Sequence, residues 1–304
     1  MGLFLNILTE ITLPIIALVA LGWAVQPRLK FDIRTLNRLQ IYIFLPIFLI
    51  HSLSSADIPL REVWPTAWFT VVQFIILTII GWAIAAALRL PESLRPIIAL
   101  TVSFPNSGNF GIPLAQLAFP DDYILHQAVI VSLHSILIVT IGYWMLVGQG
   151  MSSKALFRSL FQTPLIPSVV LGLLLKGFEL PLPNIVAVPM ALMSSAFVPL
   201  ALFALGAQLA GNKSKMDLNT IGISIIFSMI LSPVLTWGLT AGFGFTGTLE
   251  DLLIVAAAAP VGVLLAVFCA EYKNHGETAS AIVFVSTILS PLFASAWILL
   301  LRLY

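Results

Sequence analysis

The chain has 304 residues, of which 60% are hydrophobic and only 9% are charged, whereas an ordinary soluble domain carries about 25% charged residues. A soluble protein of this composition would expose large apolar patches and aggregate, so the sequence predicts a single membrane domain that fills the chain. The formal net charge of +1 argues against nucleic acid or a polybasic surface partner, because both require clustered cations.

Ten apolar segments of membrane-spanning length follow one another along the chain. A bilayer core requires roughly 20 apolar residues per helix, and the segments lie at about 8–25, 36–53, 63–88, 95–119, 124–147, 160–177, 188–210, 218–241, 250–270 and 278–302. The first run has no preceding positive residue and no small-residue cleavage site, so it reads as a membrane helix rather than a signal peptide. The sequence thus predicts an all-α integral membrane protein with ten transmembrane helices.

The cations of the chain are distributed unequally between the two sets of loops. Eleven of the fourteen lie in or beside the odd-numbered loops: Arg28, Lys30, Arg34, Arg38, Arg89, Arg95, Lys154, Arg158, Lys213, Lys215 and Lys273. The other three are Arg61, Lys176 and Arg302. Cytoplasmic loops hold the excess of Lys and Arg, so both termini are predicted to lie outside.

Prolines recur at a nearly constant offset between the two halves of the chain. The pairs are Pro14 with Pro164, Pro46 with Pro199, and Pro105 with Pro260, at offsets of 150, 153 and 155. This recurrence predicts a duplicated five-helix unit, with repeats at 1–150 and 151–304. An odd number of helices inverts the second copy, and inverted repeats are typical of secondary transporters whose substrate site lies at the membrane midplane.

The stretch "PNSGNFGIP" at 105–113 interrupts the fourth segment. Pro105 removes a backbone donor and disfavours helix at Phe104, while glycines at 108 and 111 allow other backbone shapes. We expect the helix to stop near Phe104 and to restart near Asn109. Unpaired backbone groups are tolerated in the membrane only where protein or a water-filled cavity satisfies them, so the break predicts such a cavity.

The ninth segment repeats this device in "AAAAPVGVLLAVF", with Pro260 and Gly262. Each restarting half-helix presents free N–H groups and the positive end of its dipole, so two such ends predict an anion site without a buried cation. The amides and hydroxyl of Asn106, Ser107 and Asn109 are candidate ligands. Alternatively, the two asparagines cap the half-helices, a role that suits this residue.

Other polar residues within the segments have weaker interpretations. His134 lies deep in the fifth segment, where it either titrates in a proton step or makes a neutral hydrogen bond between helices. Gln73 and Gln208 are candidates for bonds across helices, and Glu271 for a solvated cap at the cytoplasmic end of the ninth segment. The single cysteine, Cys269, lies in an apolar run, where a thiol behaves as a small hydrophobe.

Four motifs resemble those of one known family. With "SFPNSGNFGIPLA" in the fourth segment, "FVPLALFALGAQLA" in the seventh, "AAAAPVGVLLAVFCAEY" in the ninth and "ETASAIVFVSTILSPL" in the tenth, the chain resembles a bacterial member of the auxin efflux carrier family. That resemblance implies the bile acid sodium symporter fold, with two inverted five-helix repeats and broken crossing helices four and nine. It also implies a scaffold of helices 1, 2, 6 and 7 and a transport domain of helices 3–5 and 8–10.

The resemblance implies the site residues and the transported substrate as well. The matching positions for substrate binding are Pro105, Asn106, Ser107, Gly108, Asn109, Pro260, Val261 and Gly262. Plant relatives have an asparagine in both crossings, whereas the second crossing here offers Val261 and Gly262. The expected function is transport of small organic anions such as malate, malonate or auxin-like acids, by elevator-type alternating access, in a homodimer formed through the scaffold helices in the bacterial inner membrane.

Three rival functions remain at this point. A sodium-coupled symporter of a larger organic anion is the nearest, because half-helices also present carbonyl ends to Na⁺, and coupling to H⁺ or Na⁺ stays open. An intramembrane hydrolase would use Ser107 with His134 as nucleophile and base. A solute-gated channel is the third, although broken inverted repeats favour carriers. No other cofactor, no metal and no enzymatic activity are expected.

Overall fold

The computed structural model describes residues 2–55, 59–147, 164–210, 218–272 and 275–304, and these ranges form helices without a named strand. The helices are α1 Gly2–Leu29, α2 Ile33–Ser55, α3 Leu60–Ala87, α4 Arg95–Ser103, α5 Gly111–Ala118, α6 Asp121–Leu146, α7 Leu165–Gly177, α8 Asn184–Ala210, α9 Leu218–Phe243, α10 Thr248–Ala257, α11 Val263–Glu271 and α12 Gly276–Leu303. Lys154, Arg158, Lys213, Lys215 and Lys273, with the start of the predicted sixth segment, lie outside the described residues.

Seven of these helices are long and apolar enough to cross a membrane: α1, α2, α3, α6, α8, α9 and α12. Their outer faces are apolar as well, since Ile79 is 62% exposed and Leu192 67% exposed. A soluble protein rarely exposes so much apolar surface, so the protein is a multi-pass integral membrane protein. Of the five shorter helices, α4, α5, α10 and α11 are the halves of the predicted fourth and ninth segments, each of which is broken.

Three long helices contain a wide π-helical turn directly before a proline. These turns span Leu8–Thr12, Gln40–Phe44 and Phe227–Leu231, and Pro14, Pro46 and Pro233 follow them. In each case the residue before the proline donates its N–H to the carbonyl five residues back. A proline has no N–H and its ring collides with the carbonyl four residues back, so the wider turn relieves the collision. No π turn precedes Pro199, which lies inside α8.

The helices α1, α2, α7 and α8 pack mainly on one another. Glycines bring α1 and α8 close together, because a Cβ at Gly22 would lie 2.0 Å from the Phe203 carbonyl oxygen and one at Gly206 would lie 1.8 Å from that of Val19. Small residues of this kind allow close backbone approach in membranes. These four helices, termed here the first group, are those predicted to form the scaffold.

The remaining helices, α3–α6 and α9–α12, form the second group. Buried hydrogen bonds tie its members together, including Gln73 to Thr236 at 2.7 Å and Thr78 to Ser103 at 2.8 Å. The bond across helices predicted for Gln73 is therefore confirmed. Between the two groups lies an apolar cluster in which the rings of Phe48 and Phe197 are tilted by 33°, with centroids 5.1 Å apart.

Candidate functional site at the helix crossing

The two broken helices meet where their helical structure stops. Pro105 and Val261 pair as an isolated antiparallel bridge. The Asn106 N–H donates to the Pro260 carbonyl at 2.6 Å, and the Gly262 N–H donates to the Phe104 carbonyl at 2.9 Å. An unpaired backbone group in hydrocarbon costs several kcal/mol. Each break supplies hydrogen-bond partners for one N–H and one carbonyl that the other break leaves unpaired. The two breaks therefore depend on each other.

Neighbouring helices hold this crossing in place. Ser286 of α12 accepts the Val261 N–H at 3.1 Å, and Gln127 of α6 donates from Nε2 to the Ser107 carbonyl at 2.8 Å. Glycines make room for these contacts: a Cβ at Gly111 would lie 2.7 Å from Gln127 Nε2, and one at Gly262 would lie 2.3 Å from the Phe104 ring. The glycines are thus required by close packing as well as by the break itself.

A cavity of about 260 Å³ opens beside the crossing. Its polar lining residues are Asn37, Gln40, Tyr42, Asn106, Ser107, Asn109, His134, Ser135 and Gln208. Most of the remaining wall is apolar, with Leu45, Leu165 and Phe268 among its residues. Within the described part of the chain, neither a cation nor a carboxylate lines it. Any charge on a ligand would therefore be met by neutral dipoles.

Hydrogen-bond donors without an acceptor are concentrated at this cavity. The backbone N–H groups of Gly108, Asn109, Val263 and Leu264 have no acceptor among the described residues, and all four residues line the cavity. The Asn106 side chain is 5% exposed and its Nδ2 has no partner in the described ranges. Asn106 and Val263 are buried, and Gly108, Asn109 and Leu264 are half-buried. Since buried donors are normally paired, this set is suited to a ligand that brings acceptors.

Two further side-chain pairs border these donors. Asn109 accepts at Oδ1 a hydrogen bond from Nε2 of Gln40, on α2. His134 lies with Nδ1 3.1 Å from the Ser107 hydroxyl and has its ring beside Phe104, with centroids 6.0 Å apart. Residues from α2, α6 and the first break therefore act together at one wall of the cavity.

The predicted site residues divide into two sets. Pro105, Asn106, Ser107, Gly108, Asn109 and Gly262 line the cavity, as does His134. Pro260 and Val261 do not line it: both are buried behind the crossing, where they serve the backbone bridge. A motif fixes the position of a break, but the direction in which each side chain points depends on the fold around it.

The capping alternative for the asparagines does not describe the first break. The helix α5 begins at Gly111, two residues later than the expected restart, and its N-cap residue is Phe110, without a side-chain cap bond.

The Ser107 and His134 pair of the hydrolase alternative is in contact. No third acidic or basic side chain of the described residues lines the cavity to orient it.

Sequence reasoning missed two residues that bond to the first break, Gln40 and Gln127, and three polar residues that line the cavity, Asn37, Tyr42 and Ser135. Gln40 lies near the predicted inner end of the second segment, where solvent would satisfy an amide, and nothing local connects it to Asn109. Gln127 stands near the predicted start of the fifth segment, and its role follows only from the packing of α6 against the first break. An amide side chain inside an apolar run could have indicated both glutamines, since the same pattern indicated bonds across helices for Gln73 and Gln208.

Helices that break and cross beside a neutral cavity are typical of membrane transporters. Comparison with known proteins agrees. The membrane transport protein family matches residues 7–159 and 151–298, so the chain belongs to that family, which is one of transporters rather than enzymes.

Individual relatives fall into two sets. Uncharacterized transporters of Methanothermobacter thermautotrophicus and Methanocaldococcus jannaschii are each 24% identical, over 298 and 274 residues, which cover 95% and 87% of this chain and 97% and 88% of theirs. Auxin efflux carrier component 6 of Arabidopsis thaliana is 32% identical over 141 residues, 44% of this chain and 24% of that carrier. The resemblance to auxin efflux carriers inferred from the motifs is thus confirmed.

Proposed function

We propose that this transporter carries small organic anions, carboxylates such as malate, malonate or auxin-like acids, through a site at the crossing. The observation that carries the proposal is the set of unpaired donors on a neutral cavity wall: Asn106 Nδ2 and the N–H groups of Gly108, Asn109, Val263 and Leu264. A carboxylate has two oxygens that accept hydrogen bonds from several donors at once. The positive ends of α5 and α11 add to this attraction.

The opening of the cavity supports alternating access. Its lining includes Asn37, Gln208 and Phe268, which stand near the ends of α2, α8 and α11 that join the cation-rich loops. On the other side of the crossing, Phe48 and Phe197 pack with Ile112 of α5 in a buried apolar cluster. We infer from these positions that the cavity opens toward the cation-rich loops and is closed by this cluster, the arrangement of a carrier rather than of a continuous pore.

The proposed movement takes place between the two helix groups. The second group carries both breaks, so its displacement against the first group would move the site across the membrane and reverse which side is sealed. We assign the ten segments to two inverted repeats, 1–150 and 151–304. We place both termini outside and the opening of the cavity toward the cytoplasm, because cytoplasmic loops hold the excess of cations. The proposed setting is the inner membrane of a bacterium, with a homodimer formed through the first group.

Ion coupling has two candidate sources at the same place. His134 lies 3.1 Å from Ser107 at the cavity wall, where a change in its protonation would alter the charge next to the bound anion. Sodium coupling, as in a symporter of larger organic anions, is the second candidate. It is favoured by Gln127 Oε1, a buried acceptor without a donor in the part of the chain that the structure describes.

The test is uptake of labelled mono- and dicarboxylates into liposomes that contain the purified protein, under an imposed membrane potential. We expect at least one acid to be taken up, and Asn109→Ala to abolish that uptake because it removes an amide from the cavity without opening the apolar core. Asn184→Ala is the matched control, since Asn184 is exposed at the start of α8 and distant in sequence from both breaks.

Two outcomes of this assay would contradict the proposal. Absence of uptake of every acid by folded protein would exclude the anion class, and wild-type uptake by Asn109→Ala would move the site away from the crossing. In the same vesicles, uptake that is lost when choline replaces Na⁺ indicates sodium coupling, and uptake that is lost at uniform pH indicates proton coupling. Uptake that survives both changes indicates uniport.

A further inference from the structure

Gln40 is the polar side chain by which the first helix group contacts the crossing. Its side chain is 2% exposed, and it donates from Nε2 to Asn109 Oδ1 while bordering the cavity. Gln40 belongs to α2, whereas Asn109 belongs to the first break in the second group. A buried amide in a membrane is costly unless it is bonded, so this contact holds both side chains in fixed positions.

The backbone of α2 holds Gln40 in a particular conformation. Gln40 is the first residue of the π turn that precedes Pro46, and its carbonyl accepts the N–H of Leu45. Such turns interrupt the regular register of a helix and are frequent at functional sites. The proline thus fixes the part of α2 from which the Gln40 side chain reaches Asn109.

The bond determines which end of the Asn109 amide is left for a ligand. An asparagine side chain has one oxygen that accepts and one nitrogen that donates. Because Gln40 occupies Oδ1, the nitrogen remains available at the cavity wall. Asn106 Nδ2 and four backbone N–H groups are also unpaired there, so the wall presents donors in excess of acceptors.

We propose that Gln40 is a positioning residue that fixes the orientation of the Asn109 amide and thereby makes the site select an anion over its neutral analogue. This inference rests on the function proposed above. Without Gln40 the Asn109 amide can turn its oxygen toward the ligand. A carboxylate then meets an acceptor and is repelled, whereas the neutral amide of the same acid supplies its own N–H to that oxygen and binds as before.

The test compares the acid that is transported with its neutral amide. Gln40→Met keeps the length of the side chain and removes its donor, so we expect the KM for the acid to rise about tenfold, as for one lost hydrogen bond to a charged group. Inhibition of uptake by the neutral amide should change by less than about twofold on the same reasoning. Gln40→His, which retains an N–H donor, should restore part of the preference for the acid.

Gln73→Met is the matched control. Gln73 is also a buried glutamine that bonds across helices, donating to Thr236 at 2.7 Å, but it does not border the cavity. A purely structural loss would lower the thermal stability of both variants alike. Only Gln40→Met should change the ratio of acid to amide. If that variant does not fold, Gln40→Leu takes its place, because it also lacks a donor for Asn109 and brings no charge next to the anion.

A second background tests whether Gln40 acts through Asn109. In an Asn109→Ser chain, the hydroxyl keeps a donor at the cavity, so reduced uptake remains measurable, but it is too short to meet Gln40. There the Gln40→Met change should leave the KM for the acid unaltered. An unchanged ratio of acid to amide in Gln40→Met, or an equal effect in both backgrounds, would overturn the positioning role while the proposed function stands. Failure of the wild-type protein to take up any carboxylate would overturn both.

Discussion

The two breaks at the crossing share a backbone design and differ in their chemistry. Each has a proline followed by a glycine, and each supplies one N–H and one carbonyl to the bridge between them. The first break carries Asn106, Ser107 and Asn109 at the cavity, whereas the second has Val261 buried behind the crossing. The geometry of the site is therefore shared between the halves, while its side-chain chemistry comes from one.

The second break contributes to the cavity through its backbone. The helix α11 begins with Val263 and Leu264, and the N–H groups of these two residues have no acceptor among the residues that the structure describes. A helix N-terminus leaves its first backbone N–H groups unpaired. A sequence with apolar side chains can therefore still present hydrogen-bond donors to a ligand. The second break, which has no asparagine, therefore still places two donors on that side.

The largest effect is expected where both breaks depend on one residue. Gly262→Ala would place a Cβ 2.3 Å from the ring of the buried Phe104, so we expect transport to be lost and the protein to be destabilised by about 1–3 kcal/mol, as for an overpacked core. The measurement is uptake together with thermal unfolding in detergent. Gly222→Ala is the control, since nothing lies within 4 Å of its added Cβ. Equal uptake and equal thermal stability of the two variants would show that the crossing has room for the added methyl group, contrary to the packing described.

A smaller effect should distinguish the side chains of the two breaks. Asn106→Ala removes the unpaired Nδ2 from the cavity and should raise the KM of the transported acid about tenfold, the range for a hydrogen bond to a charged group. Val261→Ala removes a side chain that does not border the cavity and should leave that KM within about twofold on the same grounds. Comparable increases in both variants would refute the asymmetry between the breaks.

The smallest effect concerns His134, next to the first break. Glutamine can replace it as a partner for the Ser107 hydroxyl, so His134→Gln should still transport. If the histidine carries the coupled proton, the variant should lose the pH dependence of uptake. Initial uptake rates at a series of uniform pH values measure this. A pH profile identical to that of the wild type would leave His134 as a packing and hydrogen-bonding residue.

Much of this architecture could be predicted from local sequence. Pro105 and Pro260, with their glycines, predicted both helix breaks because proline and glycine act on the backbone at their own positions. The π turns before Pro14, Pro46 and Pro233 were not predicted. A proline can be accommodated by a kink or by a wider turn, and the choice depends on the packing around it.

The composition of the site was predicted less completely than its location. Asn106, Ser107 and Asn109 followed from their place in the break, but Pro260 and Val261 were also included, since their sequence position did not reveal that they face away from the cavity. Gln40 was missed because it lies 69 residues before its partner. Contacts between distant segments are set by tertiary packing, and one sequence contains no local trace of them.

The most direct test of the account is an experimental structure of the protein with the acid that the uptake assay identifies. We expect one carboxylate of that acid at the crossing, within about 3.2 Å of Asn106 Nδ2 and of at least two of the N–H groups of Gly108, Asn109, Val263 and Leu264, the usual limit for a hydrogen bond. An acid bound elsewhere, or bound at the crossing with these donors still unpaired, would contradict the claim that the broken helices form an anion site.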